Sequence, residues 1–184
     1  MRVVGIDLAG SEKNDTGFCV LVGDGHEKRV KTTILKGDSD ILLQVDLIRP
    51  DVVAIDAPLS WASNAYMREC DQELHEYGAL PQNLRGMRCL VERGVALGNR
   101  LRSEYSVIEV FPTASAKILG FYTKEDSQYQ KNLINLGVAG DLKSRILKRD
   151  ELDAIAAALT GFLHLQDKAK EVGDDEGKIV VPKV

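Results

Sequence analysis

Apolar residues recur along the chain in short runs, and polar or glycine-rich residues separate each run from the next. Runs of roughly four to eight apolar or β-branched residues indicate strands, whereas apolar residues spaced three and four apart indicate helices. This pattern predicts five strands, at residues 2–8, 16–22, 28–35, 51–57 and 106–111. It also predicts helices at residues 38–48, 66–77, 85–102, 113–119, 125–136 and 150–169, and a short terminal strand at 178–182.

The order of these elements predicts a single α/β domain over residues 1–184. Short turns join the first three strands, which is typical of an antiparallel meander. The fourth strand is apolar on both faces, as expected of a central parallel strand. We therefore expect a mixed five-stranded sheet, with three antiparallel and two parallel strands flanked by helices. Residues 58–104 are predicted to form a helical insertion between strands four and five.

Two of the predicted strands end on an aspartate, Asp7 on the first strand and Asp56 on the fourth. A meander followed by a crossover often places these two strands side by side. Ligand sites in open α/β sheets form outside the carboxyl ends of the strands. A buried carboxylate is costly unless its charge is compensated, so we expect a functional site at this edge. The alternative for Asp7 is a structural role in capping the turn that follows it.

Further acidic residues come from other elements. Glu109 lies on the fifth predicted strand, and Asp150 and Asp153 share one face of the first turn of the last helix. Both aspartates could simply interact with the helix dipole, but Asp153 falls near the apolar side of that helix. Clustered carboxylates repel one another unless a cation neutralises them. Oxygen ligands suit Mg²⁺ or Mn²⁺, and two such ions can promote phosphodiester cleavage.

Composition narrows the class of protein. The hydrophobic and charged fractions, 44% and 28%, are those of a soluble globular protein, and the net charge of −4 provides no overall basic field. Three separated cysteines argue against structural zinc and disulfides. No run approaches the roughly 18 apolar residues of a membrane span. We therefore expect a cytoplasmic protein without a membrane partner, and the sequence leaves open whether it forms a homo-oligomer.

One segment departs from the acidic character of the chain. Residues 85–102 contain five arginines against one acid, Glu92. Such a run can be a solvated helix face or a surface that contacts phosphate groups. The second interpretation makes Arg85 and Arg88 candidate substrate-binding residues and nucleic acid a candidate partner.

The element order and the acidic residues together resemble the ribonuclease H-like superfamily, and the i, i+3 pair of acids resembles its Holliday-junction resolvase branch. Over nearly the whole chain, a set of ordered motifs resembles the family named domain of unknown function 429, whose members are regarded as predicted nucleases. These motifs are Gly5-Ile6-Asp7, Ile55-Asp56-Ala57-Pro58-Leu59, Arg68-x-Cys70-Asp71, Glu109-Val110-Phe111-Pro112 and Asp150-x-x-Asp153-Ala154-Ile155-Ala156.

The resemblance implies a ribonuclease H-like fold and assigns roles to individual residues. It implies that Asp7, Asp56 and Asp153 are metal ligands, with Asp150 or Glu109 as a fourth catalytic acid. It also implies that Arg68 lines the site as a substrate-binding residue. Its neighbour Asp71 would line the site too, or would serve only as a helix-surface partner of Arg68.

Three hypotheses follow for the function. The first is a nuclease that uses Mg²⁺ or Mn²⁺ to hydrolyse phosphodiester bonds of DNA or RNA. The second is nucleotide phosphoryl transfer by a dimer, because residues 7–11 also resemble the first phosphate loop of the sugar kinase, actin and heat-shock chaperone superfamily. The third is a nucleic-acid or protein binding module without turnover. Metal ions held by the aspartates would favour catalysis, whereas a salt-bridged cluster would favour the binding module.

Overall fold

The strand pairings place β1 (Arg2–Asp7) in the middle of the sheet, between β2 (Thr16–Gly23) and β4 (Val52–Asp56). β1 runs antiparallel to β2 and parallel to β4. β2 is in turn antiparallel to β3 (Lys28–Leu35), and β4 is parallel to β5 (Val107–Val110). The predicted meander and the predicted parallel pair are therefore confirmed.

The computed structural model describes residues 1–24, 27–63 and 66–183. Within these ranges the sheet has eight strands rather than the expected five, in the order β6-β3-β2-β1-β4-β5-β8-β7. The additional strands are β6 (Val138–Gly140), β7 (Ala169–Asp174) and β8 (Gly177–Pro182). β6 has only three residues, and β7 consists largely of polar residues at the edge of the sheet. Neither strand has the apolar run from which strands are predicted. The predicted terminal strand corresponds to β8.

The helices follow the predicted order, with shifted ends. They are α1 (Asp38–Ile48), α2 (Glu69–Glu73), α3 (Met87–Arg102), α4 (Pro112–Ile118), α5 (Asp126–Asn135) and α6 (Arg149–Leu165), with 3₁₀ turns at His75–Tyr77 and Asp141–Lys143. α6 stops four residues before the predicted end, because Asp167 adopts a left-handed conformation with φ of 58° and turns the chain into β7. Nowhere in the described ranges is a helix long and apolar enough to cross a membrane.

Helices cover both faces of the sheet. α6 packs on one face, where Val3 and Val52 belong to the same apolar cluster as Ile155. α1 and α3 cover the other face, where the cluster includes Val4 and Val53. Because side chains alternate along a strand, Asp7 and Asp56 share the α6 face with Val3 and Val52. Both carboxylates therefore lie on the face that α6 covers.

Glycines bring α6 unusually close to the sheet. A Cβ atom at Gly5 would collide with the backbone of Ala154, and one at Gly17 would collide with the backbone of Asp150. Residues 154, 156, 157 and 158 of α6 are alanines that are fully or almost fully buried. This close contact sets the first turn of α6 against the carboxyl end of β1.

Candidate functional site

Asp7 and Asp56 are direct register partners on the parallel strands β1 and β4. They occupy the last position of their strands, and neighbouring strands lie about 4.8 Å apart. Among the residues that the structure describes, neither carboxylate has a hydrogen-bond or ion-pair partner. Two acids are thus held side by side with no cationic side chain bound to either.

The start of α6 adds a third carboxylate to this pair. Asp153 precedes Ala154, the residue that contacts Gly5, and it faces the ends of β1 and β4. Its charge acts on both neighbours and raises the pKa of Asp7 and that of Asp56. Asp150, one turn earlier, also raises the pKa of Asp7. The structure therefore brings Asp7, Asp56 and Asp153 together, with Asp150 beside them.

Burial dominates the electrostatics of this carboxylate cluster (Asp7, Asp56 and Asp153). Loss of hydration, followed by repulsion from Asp153 and Asp150, raises the pKa of Asp7 to about 8, although Arg149 opposes this shift. Complete burial, then repulsion from Asp7 and Asp153, raises the pKa of Asp56 well above its ordinary value. Burial also raises the pKa of Asp153, and Arg149 counteracts it. The cluster therefore favours binding a proton or a cation.

Among the described residues, Asp153 is the only member of the cluster that forms an ion pair with an arginine. Its Oδ2 atom accepts a hydrogen bond of 2.8 Å from Nε of Arg149. The guanidinium of Arg149 also lies over the ring of Tyr129, 4.4 Å from the ring centroid. Arg149 therefore engages Oδ2 of Asp153 and leaves Oδ1 without an arginine partner.

Two buried polar atoms at this point lack a hydrogen bond of regular geometry: Oδ1 of Asp153 and the hydroxyl of Tyr129. The two side chains are close enough to interact with each other. Burial and then Asp153 raise the pKa of Tyr129, and the Tyr129 hydroxyl lowers the pKa of Asp153 against the larger effect of burial. Buried polar groups are almost always hydrogen-bonded, and an exception often marks a bound water, an ion or a catalytic role. Oδ1 of Asp153 therefore has the capacity to accept a further ligand beside the cluster.

The donor atoms of the carboxylate cluster are those that a hard divalent cation prefers. All three acids offer oxygen donors, which Mg²⁺ and Mn²⁺ prefer, and the unpartnered Oδ1 of Asp153 is one such donor. The side chains do not form a complete coordination site. In residues 1–24, 27–63 and 66–183 no group of three or more acidic, histidine or cysteine side chains is placed to hold a metal ion. The second oxygen of Asp153 is engaged by Arg149.

Glu109 is not brought into the carboxylate cluster. Its register partner on β4 is Ile55, which belongs to the apolar cluster on the α3 face of the sheet. Glu109 therefore points away from the face that carries Asp7 and Asp56. Its two oxygens accept hydrogen bonds from Nη1 and Nη2 of Arg68, at 2.8 and 2.6 Å, and one of them also accepts the backbone N–H of Leu59.

Arg68 is completely buried and is held between two acids. In addition to Glu109 it binds Asp71, through Nε at 3.0 Å and Nη2 at 2.8 Å. Although burial alone lowers the pKa of Arg68, the ion pairs with Glu109 and Asp71 raise it above the ordinary value. Asp71 is thus the buried partner of Arg68 at i, i+3 and not a surface partner.

The exposed arginines Arg85 and Arg88 lie beside the loop that follows Asp7. Gly10 in that loop packs against the chain between Gly86 and Leu90. Arg88 forms an exposed ion pair with Glu92 at 3.1 Å. Both arginines are accessible to a ligand at this end of the sheet.

Arg93 has a different role from the other arginines of α3. It is buried and donates hydrogen bonds of 2.6 Å each to the carbonyl oxygens of Ala9 and Lys36, and one of 2.9 Å to Asp38. It thereby fastens the loop after Asp7 to α1. Arg93 lies three residues after Leu90 and four before Leu97, which places it on the apolar side of the helix. This spacing is the signal in the sequence that indicates its burial.

Comparison with solved structures places this fold. RuvC from Thermus thermophilus matches with a TM-score of 0.55 and 16% identity, over 91% of this chain and 97% of that chain. The mixed sheet flanked by helices is thus a ribonuclease H-like fold.

A search of curated proteins found no match. The model of the family described as protein of unknown function (DUF429) matches residues 5–177. The chain therefore belongs to the DUF429 family.

Proposed function

We propose that this protein is a nuclease that depends on a divalent metal and hydrolyses phosphodiester bonds of DNA or RNA. The observation that carries the proposal is the register pair Asp7 and Asp56, which faces Asp153 and has no cationic partner of its own among the described residues. Burial raises the pKa of all three acids. Such a cluster is stabilised when a cation compensates its charge.

In this proposal Asp7, Asp56 and Asp153 hold Mg²⁺ or Mn²⁺, and Asp150 contributes negative charge at the rim. A bound divalent cation would supply a water of lowered pKa and charge stabilisation for the leaving oxygen. Arg149 orients Asp153 through the 2.8 Å hydrogen bond. The exposed Arg85 and Arg88 would bind substrate phosphates. Glu109 and Arg68 form an ion pair on the opposite face of the sheet, at the same strand ends.

The structural relative supports the same class of activity. RuvC is a nuclease of the ribonuclease H-like fold, and the likeness at 16% identity extends to the fold. The cytoplasmic location remains a prediction from the sequence, which leaves open whether the protein forms a homo-oligomer.

A binding module without turnover is the second candidate. The observation that favours it is the ion pair between Arg149 and Asp153, which engages one of the three carboxylates. If this pair persists when Mn²⁺ is added, the cluster is a structural feature. If Mn²⁺ binds with Asp153 as a ligand, the nuclease is favoured.

The test is Mn²⁺-dependent cleavage of single-stranded, duplex and branched DNA and RNA. We compare the wild type with Asp7→Asn and with Asp175→Asn, an exposed acid of the turn between β7 and β8 that serves as a charge-matched control. The proposal requires cleavage by the wild type and by Asp175→Asn, and its loss in Asp7→Asn. Folded wild-type protein that cleaves none of the substrates would overturn it.

A further inference from the structure

A cavity of about 160 Å³ opens at the carboxyl ends of β4 and β5, on the side of the helical insertion. Its walls are mainly apolar and include Pro58, Leu80, Met87, Leu90, Phe111 and Ile179. Asp56 also borders it, so the cavity begins where the carboxylate cluster ends. The two features lie on opposite sides of the end of β4.

Three of the charged residues that line this cavity are paired with one another. The guanidinium of Arg68 makes hydrogen bonds to Asp71 and Glu109. Asp56 adds a third acid, so the lining has three acids against one paired arginine and offers no cation that could receive a phosphate group. Its charge therefore disfavours a phosphate and favours an occupant that donates hydrogen bonds.

The carboxylates leave acceptor positions free for such an occupant. Oε1 of Glu109 accepts one hydrogen bond, from Nη2 of Arg68 at 2.6 Å. A carboxylate oxygen has two acceptor positions, so Oε1 can accept a second donor. An occupant with an N–H group on its edge and an apolar face would match this acceptor and the apolar walls.

The size of the cavity suits a single ring system. A volume of 160 Å³ is below the roughly 300 Å³ at which ordinary small-molecule sites begin. A flat heterocycle with N–H donors matches this volume, and a whole nucleotide with its phosphate does not.

We propose that this cavity holds one unstacked nucleobase of the strand whose phosphate lies at the carboxylate cluster. The inference rests on the proposed nuclease function and adds to it the recognition of a base next to the cleaved bond. Proteins that read unstacked bases hold them between apolar or aromatic side chains and bind their polar edges. Because Asp56 borders both features, one nucleotide can reach from the cluster to the cavity. Arg85 and Arg88 are exposed and lie within two residues of the lining residue Met87 in the sequence, and they would hold the neighbouring phosphates.

The test uses nucleosides, which have a base and no phosphate. Binding of adenosine, cytidine and uridine is measured by saturation-transfer NMR without metal, and ribose is the negative control. The first variant is Leu80→Glu, which puts a charge on an exposed residue at the cavity wall. The matched control is Leu84→Glu in the same loop. Leu80 and Leu84 are 50% and 44% exposed, so neither change disturbs the core, and Leu84 does not line the cavity.

The inference predicts that nucleosides bind the wild type and Leu84→Glu, and that Leu80→Glu weakens binding at least about tenfold. A single-stranded oligonucleotide should displace the bound nucleoside, and an oligonucleotide with abasic positions should not. The absence of nucleoside binding, or equal binding by Leu80→Glu, would overturn the base site even if cleavage is found. Nucleoside binding that no oligonucleotide displaces would instead assign the cavity to a free nucleoside and overturn its assignment to a strand. The nuclease proposal is judged separately, by cleavage and its loss in Asp7→Asn.

Discussion

Gly5 of β1 and Ala154 of α6 are in direct backbone contact, and a Cβ atom at position 5 would overlap the carbonyl oxygen of Ala154. The contact fixes the distance between the strand and the helix near the candidate site. Asp7 follows Gly5 by two residues on the same face of β1, and Asp153 immediately precedes Ala154. Close packing of two small residues therefore sets the position of one carboxylate against another.

The first prediction concerns this contact. Gly5→Ala should lower the free energy of unfolding by about 3 kcal/mol or more, because a buried backbone would have to move to accept the methyl group. Urea unfolding measures the change. Gly37→Ala is the control: its added Cβ would meet only the flexible side chain of Glu12 at 3.3 Å, so it should cost less than about 1 kcal/mol. Equal stability of Gly5→Ala and the wild type would refute the close contact.

The second prediction concerns pH. The pKa of Asp7 is raised to about 8 in the folded protein, whereas it is about 3.9 in an unfolded chain. The unfolded state therefore loses its proton first, and the contribution of Asp7 to stability is lost as pH rises from about 4 to about 8. Asp7→Asn lacks this loss. In metal-free buffer at pH 8 it should be more stable than the wild type, by roughly 2–5 kcal/mol.

The control for this prediction is the same comparison at low pH. At pH 4 the carboxyl of Asp7 is protonated in the folded protein, so the two proteins should differ by less than about 1 kcal/mol. Denaturant unfolding with a chelator present, at pH 4, 6 and 8, gives the difference directly. A difference that does not change with pH would show that Asp7 is not a buried, repelled carboxylate.

The architecture around Asp7 and Asp56 could be predicted because it depends on long, regular patterns. The apolar runs ending at these residues predicted two neighbouring strands, and the structure pairs the two aspartates in register. The face of Glu109 could not be predicted, because a shift of one residue turns a strand side chain to the opposite face. Arg68 binds Glu109 across 41 residues of sequence, and no local pattern reports such a pair.

The third prediction concerns the buried hydroxyl of Tyr129. Tyr129→Phe should leave the stability of the metal-free protein unchanged or slightly increased, because it removes a buried hydroxyl that lacks a hydrogen bond of regular geometry. It should weaken Mn²⁺ binding by about tenfold, because the hydroxyl interacts with the carboxylate of Asp153 and groups that support a metal ligand typically contribute that much. Isothermal titration calorimetry measures the affinity. A variant with unchanged Mn²⁺ affinity would remove Tyr129 from the support of Asp153.

The fourth prediction concerns the exposed arginines. The double variant Arg85→Ala and Arg88→Ala should bind single-stranded nucleic acid more weakly, and the slope of log affinity against log salt should fall by about 1.4. Fluorescence anisotropy between 50 and 200 mM salt gives this slope. The matched control removes two other exposed cations, Arg100 and Lys170, and should leave it unchanged. Equal slopes for the two double variants would show that Arg85 and Arg88 do not contact phosphates and only form a solvated helix face.

Mn²⁺ binding followed by electron paramagnetic resonance shows whether Asp7, Asp56 and Asp153 form a divalent-metal site. We compare the wild type with Asp7→Asn, Asp56→Asn, Asp153→Asn and the control Asp175→Asn, all shown to be folded. We expect the wild type and Asp175→Asn to bind Mn²⁺ and each of the other three variants to lose at least one bound ion. Equal Mn²⁺ binding by all five proteins would rule out a metal site at these aspartates.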